Sequence, residues 1–319
     1  MLEILHNNNL IWCSLGVGCN GNMPVSKTVV EGSSPSAPAI KTALYKRFFC
    51  YIGVFMKEFY FPDKINSFVS GKPFSVDETG MSDSSVLVFD DLVLKIQPIE
   101  NSFNNEHVIM NWLENKSFLP KILCNIEENG FNYLLMTKIS GKMACDDEYM
   151  SNPGILIFVL AEALNCLWNV DISNCPIKND LSTVLKQAEY RVEHGMIYVD
   201  DAEPDTFGKG AFKDPEELLV WLYDNRPKED FVLSHGDFCL PNIFIDNNRF
   251  SGFVDVGRMG IADRYQDLAL CYRSLKHNFS GDYGGKSYKG YNDSMLFNVL
   301  EIEPDFDKIR YYILLDELF

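Results

Sequence analysis

Residues 234–245 read Ser-His-Gly-Asp-Phe-Cys-Leu-Pro-Asn-Ile-Phe-Ile, and residues 252–258 read Gly-Phe-Val-Asp-Val-Gly-Arg. Asp237 and Asn242 are five residues apart, which is the spacing of the loop motif H-R-D-x-x-x-x-N, with Gly236 in place of the arginine. An isolated His-Gly-Asp would be an ordinary turn, because Gly and Asp both favour turns. Here both motifs occur in order beside apolar, strand-like residues, and this conjunction favours a functional interpretation.

The two motifs supply three polar groups that phosphoryl transfer requires. The carboxylate of Asp237 can orient a substrate hydroxyl and accept its proton, and the amide oxygen of Asn242 can coordinate magnesium that bridges nucleotide phosphates. Asp255 can supply a second metal ligand, because the apolar run 251–254 ends in Asp-Val-Gly, which resembles the kinase Asp-Phe-Gly. Together the motifs predict a kinase-type phosphoryl-transfer centre.

A centre of this type also needs a lysine on a strand and a helix glutamate that holds it. Lys95 lies in a β-rich run, residues 92–96, which with residues 84–89 predicts a hairpin that turns at Asp90-Asp91. Alone, Lys95 would be read as an edge-strand lysine with its head in water. Glu106 begins a helix-like apolar stripe, so the order of the motifs favours a Lys95–Glu106 pair.

Three loops carry glycine or serine patterns. Residues 79–85 are mainly serine, and their backbone amides and hydroxyls could cradle phosphate oxygens. Residues 16–21 match G-x-G-x-x-G, but no clear strand precedes them and Pro24 interrupts any following helix. Residues 281–287 are one residue short of a P-loop and are predicted to form a surface loop.

The motifs, the run 255–269 and the stretch Leu-Leu-Asp-Glu-Leu-Phe at 314–319 resemble the aminoglycoside phosphotransferases that modify the 3'-hydroxyl. The resemblance covers residues 56–319, which is most of the chain. It implies an α+β, two-lobed, protein-kinase-like fold with a small antiparallel β-sheet lobe and a larger, mainly helical lobe. It also implies that ATP and Mg²⁺ are used to phosphorylate aminoglycoside antibiotics, which inactivates the drug.

The resemblance further implies a role for each matching position. Asp237 matches the catalytic aspartate, and Arg258 lies beside the active site in this family. The positions that match magnesium ligands are Asn242 and Asp255. The positions expected to contact the nucleotide are the loop residue Ser82, Lys95, its partner Glu106, and the hinge backbone at Thr137 and Ile139.

Substrate contacts are expected from two acidic segments. The resemblance assigns one to the end of the sequence, where Glu317 and Phe319 with its terminal carboxylate face the aminoglycoside, and the matching run 258–273 adds Arg273. The other segment is a dense carboxylate run that either flanks the substrate cleft or forms a solvated surface loop. Its members are Asp200, Asp201, Glu203 and Asp205. His277 and Asn278 stand where some relatives have carboxylates, which leaves the range of substrates open.

Composition agrees with this chemistry. The formal net charge of −17 argues against nucleic-acid binding and suits a polycationic substrate. The longest apolar stretch, residues 48–56, is too short to cross a bilayer. The nine cysteines contain no Cys-x-x-Cys pair, and Cys239 is read as a packing residue. We therefore expect a cytoplasmic protein with reduced thiols, away from membranes, as a monomer or weak dimer.

The sequence predicts three segments. Residues 1–55 hold two acidic and four basic residues and lack clear periodicity, so we expect a disordered or non-native extension before a functional start at Met56. A nucleotide-binding lobe is expected at 56–138 and a catalytic and substrate-binding lobe at 139–319. Helix-like patterns in the second lobe occur near residues 154–170, 179–194, 214–224, 262–277 and 305–316.

Two other functions remain open. A related small-molecule kinase could act on a different hydroxyl, such as that of a choline-like or macrolide substrate. A pseudokinase could bind nucleotide without turnover, but it would be expected to lack one of the four central residues. All four are present, namely Lys95, Asp237, Asn242 and Asp255.

Overall fold

The computed structural model describes residues 60–77, 84–99, 106–281 and 285–319. Phe61–Phe319 form one compact unit. The expected extension at 1–55, the start at Met56, the glycine pattern at 16–21 and the loop serine Ser82 lie outside the described residues.

The first half of this unit is built on a five-stranded antiparallel sheet with the strand order β1-β2-β3-β5-β4. A short helix, α1 (Asp63–Val69), precedes the sheet, and α2 (Glu106–Trp112) lies between β3 and β4. The strands are β1 (Ser75–Asp77), β2 (Ser85–Val88), β3 (Leu92–Pro98), β4 (Ile122–Glu128) and β5 (Phe131–Thr137). Strands β2 and β3 turn at Asp90-Asp91, which confirms the predicted hairpin.

Alternation along β3 separates a core face from a functional face. Leu94 is paired with Leu87 on one side and Leu135 on the other, and all three side chains are fully buried. The next residue, Lys95, points to the opposite face of the sheet, because successive side chains in a strand alternate. Since β3 is a central strand, Lys95 is not an edge-strand lysine.

The second half is mainly helical. The five predicted helices are confirmed, each with boundaries within a few residues of those expected. The helices are α3 (Asp147–Met150), α4 (Pro153–Trp168), α5 (Leu181–Glu193), α6 (Pro215–Asp224), α7 (Arg264–Ser280), α8 (Met295–Leu300) and α9 (Phe306–Asp316). Helix α4 contributes one face to the core, and its fully buried leucines recur at helical spacing. These are Leu156, Leu160, Leu164 and Leu167.

Aspartate caps explain where several of these helices begin. In each case the side chain accepts a hydrogen bond from a backbone N–H of the first turn, which would otherwise lack a partner in the helix. The capping residues are Asp180 before α5, Asp214 before α6, Asp263 before α7 and Asp305 before α9. Helix α7 ends at Gly281, whose left-handed conformation is typical of a helix C-terminus.

Two small antiparallel sheets carry the motifs at their strand ends. One contains β6 (Lys142–Met143), β8 (Ile243–Asp246) and β9 (Arg249–Phe253), and the other pairs β7 (Phe231–Ser234) with β10 (Gly260–Asp263). The loop 235–242 therefore connects β7 to β8, and Asp255 follows β9. The described fold is α+β, with a sheet in 75–137 and mainly helices in 142–319. The boundary at 138/139 stays a prediction.

Gly141 provides a test of the packing between β5 and the small sheet. Gly141 has a φ of +95°, and a Cβ there would lie 2.1 Å from the carbonyl oxygen of Ile245. Gly71 also has a positive φ, of +73°, but a Cβ there would meet nothing within 4 Å. We expect Gly141→Ala to lower the free energy of unfolding by about 3 kcal/mol, and the control Gly71→Ala by about 1 kcal/mol. Equal losses in urea unfolding would contradict this account.

Candidate active site

Lys95 joins the sheet to the second motif. Its Nζ lies 2.9 Å from Glu106 Oε2 and 2.7 Å from Asp255 Oδ1. Lys95 and Glu106 are nearly buried, whereas the Asp255 side chain is 49% exposed. Burial acts to lower the pKa of Lys95, but the charges and hydrogen bonds of Glu106 and Asp255 outweigh it and raise the pKa. The ammonium therefore stays charged, and the expected Lys95–Glu106 contact is present.

Asp255 is held in an unusual backbone conformation. Its φ is +55°, in the left-handed region that costs free energy for a residue with a Cβ. The following N–H, that of Val256, donates to Glu106 Oε1 at 3.3 Å. Partial burial acts to raise the pKa of Asp255, but the positive charge of Lys95 and its hydrogen bond, and then the charge of Arg258, outweigh this and lower the pKa. Glu106 thus holds both the lysine and the turn that presents an ionised Asp255.

The loop between β7 and β8 holds the other two motif residues together. Asn242 Nδ2 donates to the backbone oxygen of Asp237 at 3.0 Å and to its carboxylate Oδ2 at 2.9 Å. Because the amide nitrogen is used in this way, Asn242 Oδ1 is directed away from Asp237. The N–H of Val254 donates to the Asn242 carbonyl at 3.0 Å. This backbone bond places the chain just before Asp255 beside the loop that carries Asp237 and Asn242.

Asp267 of α7 fixes the start of this loop. Its side chain is fully buried and accepts hydrogen bonds from Ser234 Oγ at 2.8 Å, the His235 N–H at 2.8 Å and the Gly236 N–H at 3.0 Å. Two turns further along α7, Ser274 Oγ accepts from the Leu240 N–H at 3.1 Å. Sequence reasoning did not assign Asp267 a role, because it lies 31 to 33 residues from the three residues that it binds and no local pattern links them.

Gly236 permits a close approach between the two motifs. Its φ is +80°, and a Cβ would lie 2.3 Å from the carbonyl oxygen of Arg258. A side chain at this position would therefore displace the backbone of Arg258. This explains why glycine stands where the H-R-D form of the motif has arginine, and it brings Arg258 against the loop that carries Asp237.

Arg258 and Arg273 hold the end of α9. Arg258 donates to Asp316 Oδ1 at 2.9 Å, and Arg273 is paired with both Asp316 and Glu317, the latter at 3.1 Å. Burial acts to raise the pKa of Asp316, but the two guanidiniums outweigh it and lower the pKa. For Glu317, burial dominates over Arg273 and raises the pKa to about 7. Glu317 therefore titrates near neutral pH.

Glu203 completes what we call the acidic cluster, which consists of Glu203, Asp316 and Glu317. The backbone N–H of Glu203 donates to Glu317 Oε2 at 3.1 Å, and the Glu203 carboxylate lies 2.8 Å from His277 Nε2. Only part of the predicted carboxylate run joins this cluster. Asp200 and Asp205 are exposed and form no ion pair with other described residues; the side chain of Asp201 lies outside the described part.

Phe319 is fixed by an arginine that sequence reasoning missed. Arg191 of α5 donates from Nε to the Leu318 carbonyl at 2.8 Å and from a terminal nitrogen to the Phe319 backbone oxygen at 2.7 Å. The guanidiniums of Arg191 and Arg258 lie 5.6 and 5.1 Å from the centre of the Phe319 ring. Only the contacts reveal this role, since an arginine on a helix is usually solvated.

The remaining predicted positions lie at the end of β5 and in the loop. The N–H of Thr137 donates to the Lys121 carbonyl at 3.0 Å, so a nucleotide contact there would use the Thr137 carbonyl oxygen. Ile139, two residues on, is buried.

Burial, and secondly Asp237, raises the pKa of the Cys239 thiol well above its ordinary value. This agrees with a packing residue rather than a nucleophile.

Two further properties of the described residues bear on function. None of their helices combines the length and the apolar character that crossing a membrane requires. Among the same residues, no three or more His, Cys, Asp or Glu side chains are grouped so as to hold a metal ion.

A charged lysine that reaches both a helix glutamate and the aspartate of Asp-Val-Gly, beside a separate Asp–Asn loop, is the arrangement of kinase-type phosphotransferases. A family model described as the phosphotransferase enzyme family matches residues 74–301. The chain therefore belongs to the phosphotransferase enzyme family, the APH family.

Known proteins agree with this assignment. An aminoglycoside 3'-phosphotransferase of Enterococcus faecalis is 39% identical over 218 residues, which cover 67% of this chain and 78% of the relative. The crystal structure of an aminoglycoside-3'-phosphotransferase of type VIII has a TM-score of 0.64 at 25% identity and covers 78% of this chain and 94% of that one. An aminoglycoside phosphotransferase from Streptomyces rimosus, in complex with ADP and streptomycin, has a TM-score of 0.66 at 22% identity, covering 79% and 95%. These similarities confirm the expected kinase-like fold.

Replacing Asp267 tests whether it supports the loop. Asp267→Asn puts an amide group where a carboxylate oxygen accepts, so one buried N–H or O–H donor loses its partner. We expect the free energy of unfolding to fall by about 1–3 kcal/mol. The control Asp293→Asn changes an exposed aspartate that accepts one hydrogen bond, from the Tyr272 hydroxyl, and should cost less than about 0.5 kcal/mol. Equal denaturation midpoints for the two variants would contradict the role of Asp267.

Proposed function

We propose that this protein transfers the γ-phosphoryl group of ATP to the 3'-hydroxyl of aminoglycosides. One observation carries the proposal: Arg258 connects the loop of Asp237 to the acidic cluster. Its carbonyl oxygen lies against Gly236, and its guanidinium donates to Asp316. The backbone of Arg258 therefore contacts the loop of Asp237, the proposed hydroxyl-orienting residue, and its side chain contacts the acidic cluster.

The acidic cluster suits a polycationic substrate. Aminoglycosides carry several ammonium groups, and carboxylates form charge-assisted hydrogen bonds with such donors. The net charge of −17 adds a long-range attraction for cations. The aromatic ring of Phe319, fixed by Arg191 and Arg258, offers an apolar surface beside these groups. In this proposal Glu203, Glu317 and Phe319 bind the aminoglycoside, and Arg273 orients the carboxylates.

Asp237 is the residue proposed to act on the hydroxyl. Its carboxylate is partly exposed at the loop and is held by the Asn242 amide. A hydroxyl hydrogen-bonded to Asp237 would be oriented toward the phosphate, and the carboxylate would accept its proton as the new bond forms. Lys95 would hold the nucleotide phosphates, because an ammonium has three donors and Glu106 and Asp255 use two of them, which leaves one for a phosphate oxygen. Ser82 and the backbone of Thr137 and Ile139 are proposed to bind the rest of ATP.

The donor set fits magnesium. Asn242 Oδ1 and the Asp255 carboxylate are hard oxygen ligands, and no larger group of His, Cys, Asp or Glu ligands occurs among the described residues. Magnesium is usually held by one or two carboxylates together with substrate phosphates, not by a complete protein cage. When bound, the ion neutralises phosphate charge. Asn242 and Asp255 are therefore proposed as its protein ligands.

The proposed function is tested with a panel of aminoglycosides that includes analogues without the 3'-hydroxyl. ATP-dependent phosphorylation is measured for the purified full chain. Turnover that requires the 3'-hydroxyl is the expected result. Nucleotide binding without turnover on any member would point to a kinase for another hydroxyl substrate and would overturn the proposal.

Asp237→Ala separates chemistry from nucleotide binding. We expect turnover to fall by about 10²- to 10⁴-fold, because the hydroxyl loses its orienting base. Calorimetry should show nucleotide affinity close to that of the unmodified protein, since Asp237 faces the acceptor and not the phosphates. Asp246→Ala, which removes an exposed aspartate on β8, serves as the control with unchanged turnover. Undiminished activity in Asp237→Ala would refute the mechanism.

Glu317 makes substrate binding dependent on pH. Because burial raises its pKa to about 7, the carboxyl is neutral below that pH and anionic above it. We expect the KM for an aminoglycoside to rise about threefold as the pH falls from about 8 to about 6. Substrate amines also titrate, so the comparison is with Glu317→Gln, whose side chain does not titrate and whose KM profile should be flatter. Identical profiles would contradict the assignment.

A further inference from the structure

Helix α7 presents two donors to the acidic cluster. Arg273 and His277 are four residues apart and lie on the same helix face. Arg273 pairs with Asp316 and Glu317, whereas His277 Nε2 lies 2.8 Å from Glu203 Oε1. The same carboxylate oxygen lies 4.0 Å from Arg273 Nε. Glu203 Oε1 is therefore at hydrogen-bond distance from His277 and at the longer distance of a weak ion pair from Arg273.

The three carboxylates of the cluster differ in how far the protein compensates their charge. Asp316 lies between Arg258 and Arg273, which are both permanent cations. Glu317 shares Arg273. The nearest partner of Glu203 is a histidine, which is neutral in one of its two protonation states. Glu203 is thus the carboxylate of the cluster without an arginine at hydrogen-bond distance, and its close side-chain partner is His277.

We propose that His277 is a specificity-determining residue that competes with substrate ammonium groups for the carboxylate of Glu203. The inference rests on the proposed function, because it takes aminoglycosides as the ligands. An ammonium that approaches Glu203 must displace the His277 N–H or share the carboxylate with it. Both side chains are only about one-sixth to one-fifth exposed, at 16% and 19%, so little water is present to screen the competition. Substrates with an additional ammonium lose more by it than substrates with a hydroxyl in that place.

The test compares matched substrates in matched variants of the full chain. Neomycin and paromomycin differ by one amino group in place of a hydroxyl, and kanamycin B and kanamycin A differ in the same way on another position. We expect His277→Ala to raise the kcat/KM ratio of the amino-rich member over its partner about twofold to fivefold in at least one pair, through KM. His277→Gln keeps an N–H donor and should preserve the original ratio.

Control and companion variants keep the result decisive. His194 is exposed and stacks on Tyr190, away from the cluster contacts, so His194→Ala should leave both ratios unchanged. Glu203→Gln removes the negative charge for which His277 and the substrate compete. It should lower the kcat/KM ratio of the amino-rich member over its partner in the pair for which His277→Ala raises that ratio. If His277→Ala does not fold, this variant still tests the inference.

The possible outcomes separate the two proposals. An unmodified protein that phosphorylates none of the four substrates would refute the proposed function and this inference with it. An active protein whose two ratios are the same in His277→Ala would overturn the inference alone. A uniform loss of kcat/KM across all four substrates in His277→Ala would also overturn it. His277 would then position Glu203 for substrate binding and would not compete with substrate ammonium groups.

Discussion

A buried ammonium between two carboxylates holds the functional parts of this protein in register. Lys95 projects from a central strand and meets Glu106 of α2 and Asp255, which is 160 residues further along the chain. Removing any one of the three would leave an incompletely paired charge in a poorly hydrated place, which is strongly unfavourable. The position of the sheet is thereby linked to the position of the Asp-Val-Gly turn. Nucleotide phosphates, when bound, would enter a network that is already charged and aligned.

Helix α7 similarly holds together the part of the site that is proposed to bind the aminoglycoside. Asp267 and Ser274 hold the backbone of the loop that carries Asp237, while Arg273 and His277, on another part of the helix surface, hold the acidic cluster. One rigid element thus fixes the distance between Asp237, which we propose to orient the hydroxyl, and the carboxylates. A substrate bound by its ammonium groups would then reach Asp237 in a restricted orientation. Such positioning lowers the entropic part of the activation barrier.

The parts of the fold and of the candidate site that could be predicted from the sequence were those that depend on residues close together along the chain. The five helices and the β2–β3 hairpin were predicted because periodicity and turn residues are local properties, and the Asp237, Asn242 and Asp255 grouping followed from motif spacing. The roles of Asp267 and Arg191 could not be predicted, because their partners are distant in sequence and a helical aspartate or arginine has no distinctive pattern. The acidic run near residue 200 was ambiguous for the same reason: among its described side chains, only Glu203 forms ion pairs, with Arg273 and His277 of α7.

The state of Cys239 has a consequence for how such an enzyme could be inhibited. The thiol lies two residues from Asp237, where a reactive cysteine would be an attractive anchor for a covalent drug. Burial and the neighbouring carboxylate keep it protonated, and electrophiles and oxidants attack the thiolate form. Thiol-directed compounds would therefore react poorly at Cys239, and mildly oxidising surroundings would leave the loop that carries Asp237 unmodified.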